Sequence, residues 1–130
     1  MLADSNLIIY AARPENQFLR DWFKSEAPSV SGVSYVEALG YHGLTQPDRE
    51  FFESFFAAAR VLPIDASVLD QAVKLRQTRK MSLGDSLVAG TVMAHGLSLA
   101  TRNVRDFTWI PDFPLFNPFD QPSALGTTPT

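Results

Sequence analysis

Residues 1–12 read MLADSNLIIYAA: a short apolar stretch is ended by Asp4, and Ser5-Asn6 then leads into the apolar helical run Leu7-Ile8-Ile9-Tyr10-Ala11-Ala12. This is a strand, a carboxylate and then a helix. The alternation continues outward from there. Pro14 suits a first helical position, and Phe18, Leu19, Trp22 and Phe23 make the apolar stripe of a second helix ending near Pro28. A small strand over 29–33 precedes Ser34-Tyr35-Val36-Glu37, whose capping-box spacing predicts a helix from there to about Gly43. Pro47 begins another helix, with Phe51, Phe52, Phe55, Phe56 and Ala59 on one stripe, and Val61-Leu62-Pro63-Ile64 follows as a strand. Asp65 caps a helix carrying Val68, Leu69, Ala72, Val73 and Leu75, which ends in the basic run from Arg76 to Lys80. Ser82-Leu83-Gly84-Asp85 opens the next helix, which stops at His95-Gly96. Residues 97–101 form a strand, Asn103 begins a turn or short helix, and residues 113–116 add a final edge strand.

Strands and helices that alternate over short connections imply right-handed crossovers and a parallel sheet covered on both faces. The predicted fold is therefore a single α/β domain with a central, mostly parallel sheet of four or five strands. A chain of 130 residues, 45% hydrophobic and 19% charged, is consistent with one globular domain and leaves no room for a second. Prolines 111, 114, 118, 122 and 129 crowd the end, so the domain is expected to span 1–119, with an extended tail over 120–130. The absence of cysteine excludes a disulfide scaffold, a thiolate zinc site and a cysteine nucleophile. No apolar run approaches the roughly 20 residues of a membrane helix, and the start has no signal-peptide pattern, so a soluble cytoplasmic protein without membrane contact is expected. The formal net charge of −3 means that any nucleic-acid contact must come from a local basic patch.

In open parallel sheets the ligand crevice lies beyond the carboxyl ends of the strands. Four acids fall just after a strand or near the start of the helix that follows one: Asp4, Glu37, Asp85 and Asp106. Three of them stand three residues after a plausible cap, namely Ser34, Ser82 and Asn103, which is also the spacing that ordinary helix capping produces. Together they point to chemistry. Two like charges 4 Å apart repel by about 4 kcal/mol at an effective dielectric of 20, so four converging carboxylates call for a divalent counter-charge. Oxygen-only donors of this kind suit magnesium or manganese and suit zinc poorly. Such a centre can direct a water in line at a phosphodiester and stabilise the leaving oxygen.

The ordered set of Asp4-Ser5-Asn6 after the first strand, a lone Glu37 after the second, SLGDSLVAGT around Asp85 and ATRNVRDF from Ala100 to Phe107 resembles the PIN-domain ribonucleases. The resemblance is to the VapC type of bacterial toxin–antitoxin systems and covers residues 1–119. It implies a magnesium- or manganese-dependent endoribonuclease that cuts single-stranded or loop RNA, leaves a 5′-phosphate and is neutralised by a cognate antitoxin protein. By the same resemblance Asp4, Glu37, Asp85 and Asp106 are the catalytic acids, and Asp4, Asp85 and Asp106 are metal ligands. Some members carry an acid where this chain has Asn103, which would make Asn103 the ligand and move Asp106 outward. Ser5, Asn6, Thr101 and Asn103 resemble the small polar residues that orient the acids or the water. Local capping hydrogen bonds at strand ends are the structural alternative for Ser5, Asn6 and Thr101. A homodimer is also implied.

Arg102 and Arg105 flank Asn103, and Arg79 and Lys80, with Arg76, precede Asp85, so both groups are candidate RNA phosphate contacts. The alternative is that the second group complements the dipole of its helix. The phenylalanine stripe, with Tyr35 and Tyr41 in the helix before it, exceeds what one buried face needs, and the resembled family holds its antitoxin on this hairpin. His42, within a helix, and His95, at a helix end, are assigned to packing or capping, and Gly84 and Gly90 to close helix approach. No phosphate-cradling glycine loop and no lipase-type serine elbow is present. Two rival readings remain at this point. One is a non-catalytic interaction module whose acids only cap helices. The other is an aspartyl-phosphate phosphotransfer enzyme, for which Asn6 stands where a second aspartate is wanted.

Overall fold

Leu2 and Ala3, both fully buried, form the central strand β1 of the computed structural model, which describes residues 1–120. On one side β1 pairs with β2 (Ser29–Ser31), which pairs with β3 (Val61–Leu62). On the other it pairs with β4 (Leu99–Ala100), which pairs with the edge strand β5 (Leu115–Phe116). All four pairings are parallel and the order is β3-β2-β1-β4-β5, the sheet that the alternation predicts. The expected tail lies outside the described residues from position 121 onward.

Each strand is only two or three residues long, shorter than the stretches read from sequence. The reason is local: Asp4 turns out of β1 to N-cap α1, Ser31 is both the last residue of β2 and the N-cap of α3, and Pro63 has no N–H to extend β3. Successive residues point to opposite faces, so the sheet serves two cores. Ala3, Val30 and Ala100 face Leu7 and Ile8 of α1 (Ser5–Ala11), Leu19 and Phe23 of α2 (Gln17–Glu26), Ala38 of α3 (Gly32–Leu39), and Phe52 and Phe56 of α4 (Gln46–Ala58). Leu2, Leu62 and Leu99 face Leu75 of α5 (Ala66–Thr78), Val88, Ala89 and Val92 of α6 (Leu83–His95), and Phe107 and Ile110. A Cβ on Gly90 would lie 2.8 Å from the Val68 carbonyl oxygen, so α5 and α6 can pack this closely only over a glycine.

Asp65 and Ser82 cap α5 and α6 as predicted, and Gly96, with φ 63°, ends α6 in the left-handed conformation. Pro14 starts a single 3₁₀ turn, Pro14–Asn16, that runs into α2, and Pro47 lies in the first turn of α4. The predicted start and end of the third helix are both corrected. Ser31, not Ser34, caps α3, because its side chain accepts the Val33 N–H while Ser34 is already inside the helix. The helix ends at Leu39, leaving Tyr41 and His42 exposed beyond it, with their rings 5.0 Å apart, rather than within a helix. Asn103 precedes the single 3₁₀ turn Val104–Asp106 but makes no side-chain cap bond, so the expected Asn103 cap is also corrected.

Candidate active site

Ala3 pairs with Ala100, so the next residue of each strand, Asp4 and Thr101, meets its neighbour just past the carboxyl end of the sheet. There the Thr101 hydroxyl donates to Asp4 Oδ2 at 2.8 Å while accepting the Asn103 N–H at 3.0 Å. The Ser5 N–H donates to Asp4 Oδ1 at 2.8 Å. Asp4 is only 5% exposed, and burial pushes its pKa from 3.8 to about 6, helped by the negative charges of Asp85 and Glu37. Hydrogen bonds from Thr101 and Ser5 oppose that rise, and among the described residues no basic side chain does.

Glu37 enters from the neighbouring strand–helix unit. The Ser5 hydroxyl donates to Glu37 Oε1 at 2.8 Å and lies 2.7 Å from the Ser34 hydroxyl. Because Ser5 has one proton and gives it to Glu37, Ser34 must donate to Ser5, which makes a relay of two hydroxyls ending on the carboxylate. The sequence treated Ser34 as a cap and missed this role. Its placement one helical turn before Glu37, on the same face, was the available signal. Gly84 explains how Glu37 fits: a Cβ there would stand 2.9 Å from Glu37 Oε2. The close helix approach expected at Gly84 is thus to α3, through the Glu37 carboxylate.

Asp85 occupies the first turn of α6, where its N–H bonds the Ser82 hydroxyl at 3.0 Å. Its pKa is raised by burial first, then by the charge of Asp106, and also by that of Glu37. The four acids therefore feel one another: Asp4 senses Asp85 and Glu37, and Asp85 senses Asp106 and Glu37. Helix capping accounts for part of this arrangement, since Asp4 caps α1, yet Glu37 stands in the second turn of α3 and Asp106 at the end of its 3₁₀ turn. Among the described residues, no three histidine, cysteine, aspartate or glutamate side chains stand close enough together to hold a metal ion as they are placed. The four acids are nevertheless all-oxygen donors, negatively charged and, among the described residues, without a basic side chain that lowers Asp4 or Asp85, a chemistry that suits a hard divalent ion. Next to Asp4 and Ser5, Asn6 Oδ1 is a buried acceptor with no partner among the described residues.

The basic candidates separate. Arg102 and Arg105 line a polar cavity together with Asn103, Val104 and Asp106. The Arg102 guanidinium lies 4.8 Å from the Tyr10 ring centre and 4.2 Å from that of Phe119, so its charge is held against two aromatic rings. Arg79 instead stacks 5.6 Å from the Trp109 ring centre, and Lys80 is exposed just after it. The phenylalanine stripe also divides. Phe52 and Phe56 are core residues, whereas Phe51 and Phe55 join Phe23 along an apolar groove of about 570 Å³ between α2 and α4, with Lys24 and Arg60 among its lining residues. No helix of the described residues is long and apolar enough to cross a membrane.

Comparison with known proteins bears on the whole chain. A family model described as the PIN domain matches residues 1–108. Ribonuclease VapC10 of Mycobacterium tuberculosis is 31% identical over 134 residues, covering 96% of this chain and 94% of its own. The FitAcB structure from Neisseria gonorrhoeae superposes with a TM-score of 0.74 at 25% identity, covering 92% of this chain and 99% of that one. DNA-bound VapBC from Salmonella typhimurium gives a TM-score of 0.78 at 20% identity over 90% of this chain and 96% of that one, a likeness of fold.

Proposed function

This chain belongs to the PIN domain family, and from that premise we propose that it is an endoribonuclease, the toxin of a toxin–antitoxin pair, that hydrolyses RNA phosphodiester bonds in the cytoplasm with magnesium or manganese. The observation that supports the reading is that burial and the charges of neighbouring acids raise both Asp4, which feels Asp85 and Glu37, and Asp85, which feels Asp106 and Glu37, with no basic side chain among the described residues answering them. Asp4, Asp85 and Asp106 would hold the cation, and Asn103, whose backbone is tied to Thr101, would sit beside it. When bound, the cation would polarise the scissile phosphate and neutralise charge developing on the leaving oxygen.

The remaining work falls to the protein. Thr101 and the Ser5 N–H hold one oxygen of Asp4 each, which leaves the carboxylate a single orientation. The Ser34–Ser5 relay fixes Glu37 through Oε1, so that Oε2, over Gly84, is the atom to take a proton from the attacking water. Arg102 and Arg105 would meet phosphates flanking the cut, and Asn6 Oδ1 is an acceptor for a substrate hydroxyl or an ordered water.

This reading expects cleavage of an unstructured RNA by the purified protein in magnesium or manganese, lost with a chelator. Asp85→Asn should abolish it while leaving the circular dichroism spectrum unchanged. Cleavage by that variant at the wild-type rate would overturn the site.

For the antitoxin, the α2–α4 groove offers an apolar floor with Lys24 and Arg60 beside it, which suits an amphipathic helix with acidic edges. Phe55→Glu should then free the nuclease from its co-expressed partner without reducing cleavage. For the implied homodimer, Leu69 and Val73 lie one turn apart on α5, 48% and 55% exposed, and present apolar surface to a second copy.

A further inference from the structure

Arg79 and Trp109 lie outside the acid cluster, yet each touches a segment that delivers one of its members. Arg79 is the residue that closes α5, three positions before Ser82, the cap that sets the start of α6 and thus Asp85. Trp109 lies three positions after Asp106, and its indole Nε1 donates to the Asp106 carbonyl oxygen at 3.1 Å. The guanidinium of Arg79 stacks on that indole. Behind the turn, Phe107 is fully buried and stacked on Phe113 at 6.0 Å, with Ile110 also in the core. Among the described residues no side chain hydrogen-bonds the Asp106 carboxylate, so its position rests on the backbone of its turn.

We propose that the Arg79–Trp109 stack is a strap between the α5–α6 connection and the Asp106 turn, which makes Arg79 and Trp109 positioning residues for the divalent cation that Asp85 and Asp106 would share. The inference rests on the metal-nuclease reading above, and it gives Arg79 a task other than the RNA contact expected from sequence. Its physical basis is the narrow range of metal–oxygen distances, about 2.0 to 2.6 Å for these ions, which a swinging turn could not maintain. Supports lying behind metal ligands can matter nearly as much as the ligands themselves.

The test is calorimetric titration of the intact chain with Mn²⁺, alongside thermal melting in chelator. Trp109→Ala should bind Mn²⁺ about tenfold more weakly than wild type. Arg79→Ala should lose about threefold, the scale of one exposed cation–π contact. Arg79→Lys, which keeps a cation over the ring, should restore binding, and Trp109→Phe, which keeps the ring and loses the N–H, should fall between. A purely structural stack would lower the melting temperature and leave Mn²⁺ affinity unmoved. Equal Mn²⁺ affinity in Arg79→Ala, Trp109→Phe and wild type overturns the strap alone, as does weaker RNA binding by Arg79→Ala at unchanged Mn²⁺ affinity. If wild type takes up no Mn²⁺, the metal reading itself fails and the strap falls with it. Should Trp109→Ala not fold, Trp109→Phe and Arg79→Ala decide the matter by the same outcomes.

Discussion

Asp4 is a carboxylate that the fold holds under strain. Its folded pKa of about 6 lies above the ordinary 3.8, so folding favours the protonated form. The stability associated with that protonation is fully present below about pH 4 and is lost as pH rises through 6. Two pKa units correspond to about 3 kcal/mol, with the Thr101 and Ser5 hydrogen bonds already included in the balance. Asp4→Asn removes the charge and keeps the shape. It should therefore be more stable than wild type by about 2 kcal/mol in chelator at pH 7.5, a gain that disappears by pH 4. Urea denaturation at the two pH values measures this, and the same variant should no longer cut RNA. An Asp4→Asn protein less stable than wild type at pH 7.5 would mean that the carboxylate is satisfied by its partners. Thr101 belongs to the same scale. Its hydroxyl, placed by β4, does for Asp4 what Ser5 does for Glu37.

At the scale of elements, two glycines of α6 separate activity from stability. Gly84→Ala places a methyl 2.9 Å from the end of the flexible Glu37 side chain, which can move aside. The helix gains propensity of up to about 1 kcal/mol, so melting should stay level or rise while cleavage falls sharply. Gly90→Ala meets the Val68 backbone carbonyl at 2.8 Å, which cannot yield, and should lose about 1 to 3 kcal/mol by forcing α5 from α6. Thermal melts paired with a cleavage assay distinguish the two.

The elements legible in the sequence are those whose signals are local. Asp65, Ser82 and Gly96 mark helix ends through bonds to residues three or four positions away, and the strand–helix alternation reports the parallel sheet directly. Where the reading failed, a distant partner had intervened. Ser34 has the spacing of a cap for Glu37, but its hydroxyl is engaged by Ser5, 29 residues earlier in the chain, and the helix starts at Ser31 instead. Gly84 could be recognised as a close-approach glycine, though not the carboxylate that approaches it. Trp109 gave no signal, because its indole proton and its stacked arginine come together only in the folded chain.

At the scale of the molecule, the acids stand at positions 4, 37, 85 and 106, so a cation bound among them ties together nearly the full described length. Manganese at a hundredfold excess over its dissociation constant should stabilise the fold by about 2.7 kcal/mol, visible as a melting shift of several degrees. Asp85→Asn should show none, and an equal shift in both proteins would place the ion elsewhere. The central strand comes from the first residues of the chain, yet one of its two neighbours, β4, lies nearly a hundred residues later. Asp4 therefore meets Thr101 and Asp106 only after the intervening segments, β4 included, have been made. A copy broken off before β4 would lack both Thr101 and Asp106, so the proposed centre could not assemble in it and such a fragment should not cut RNA.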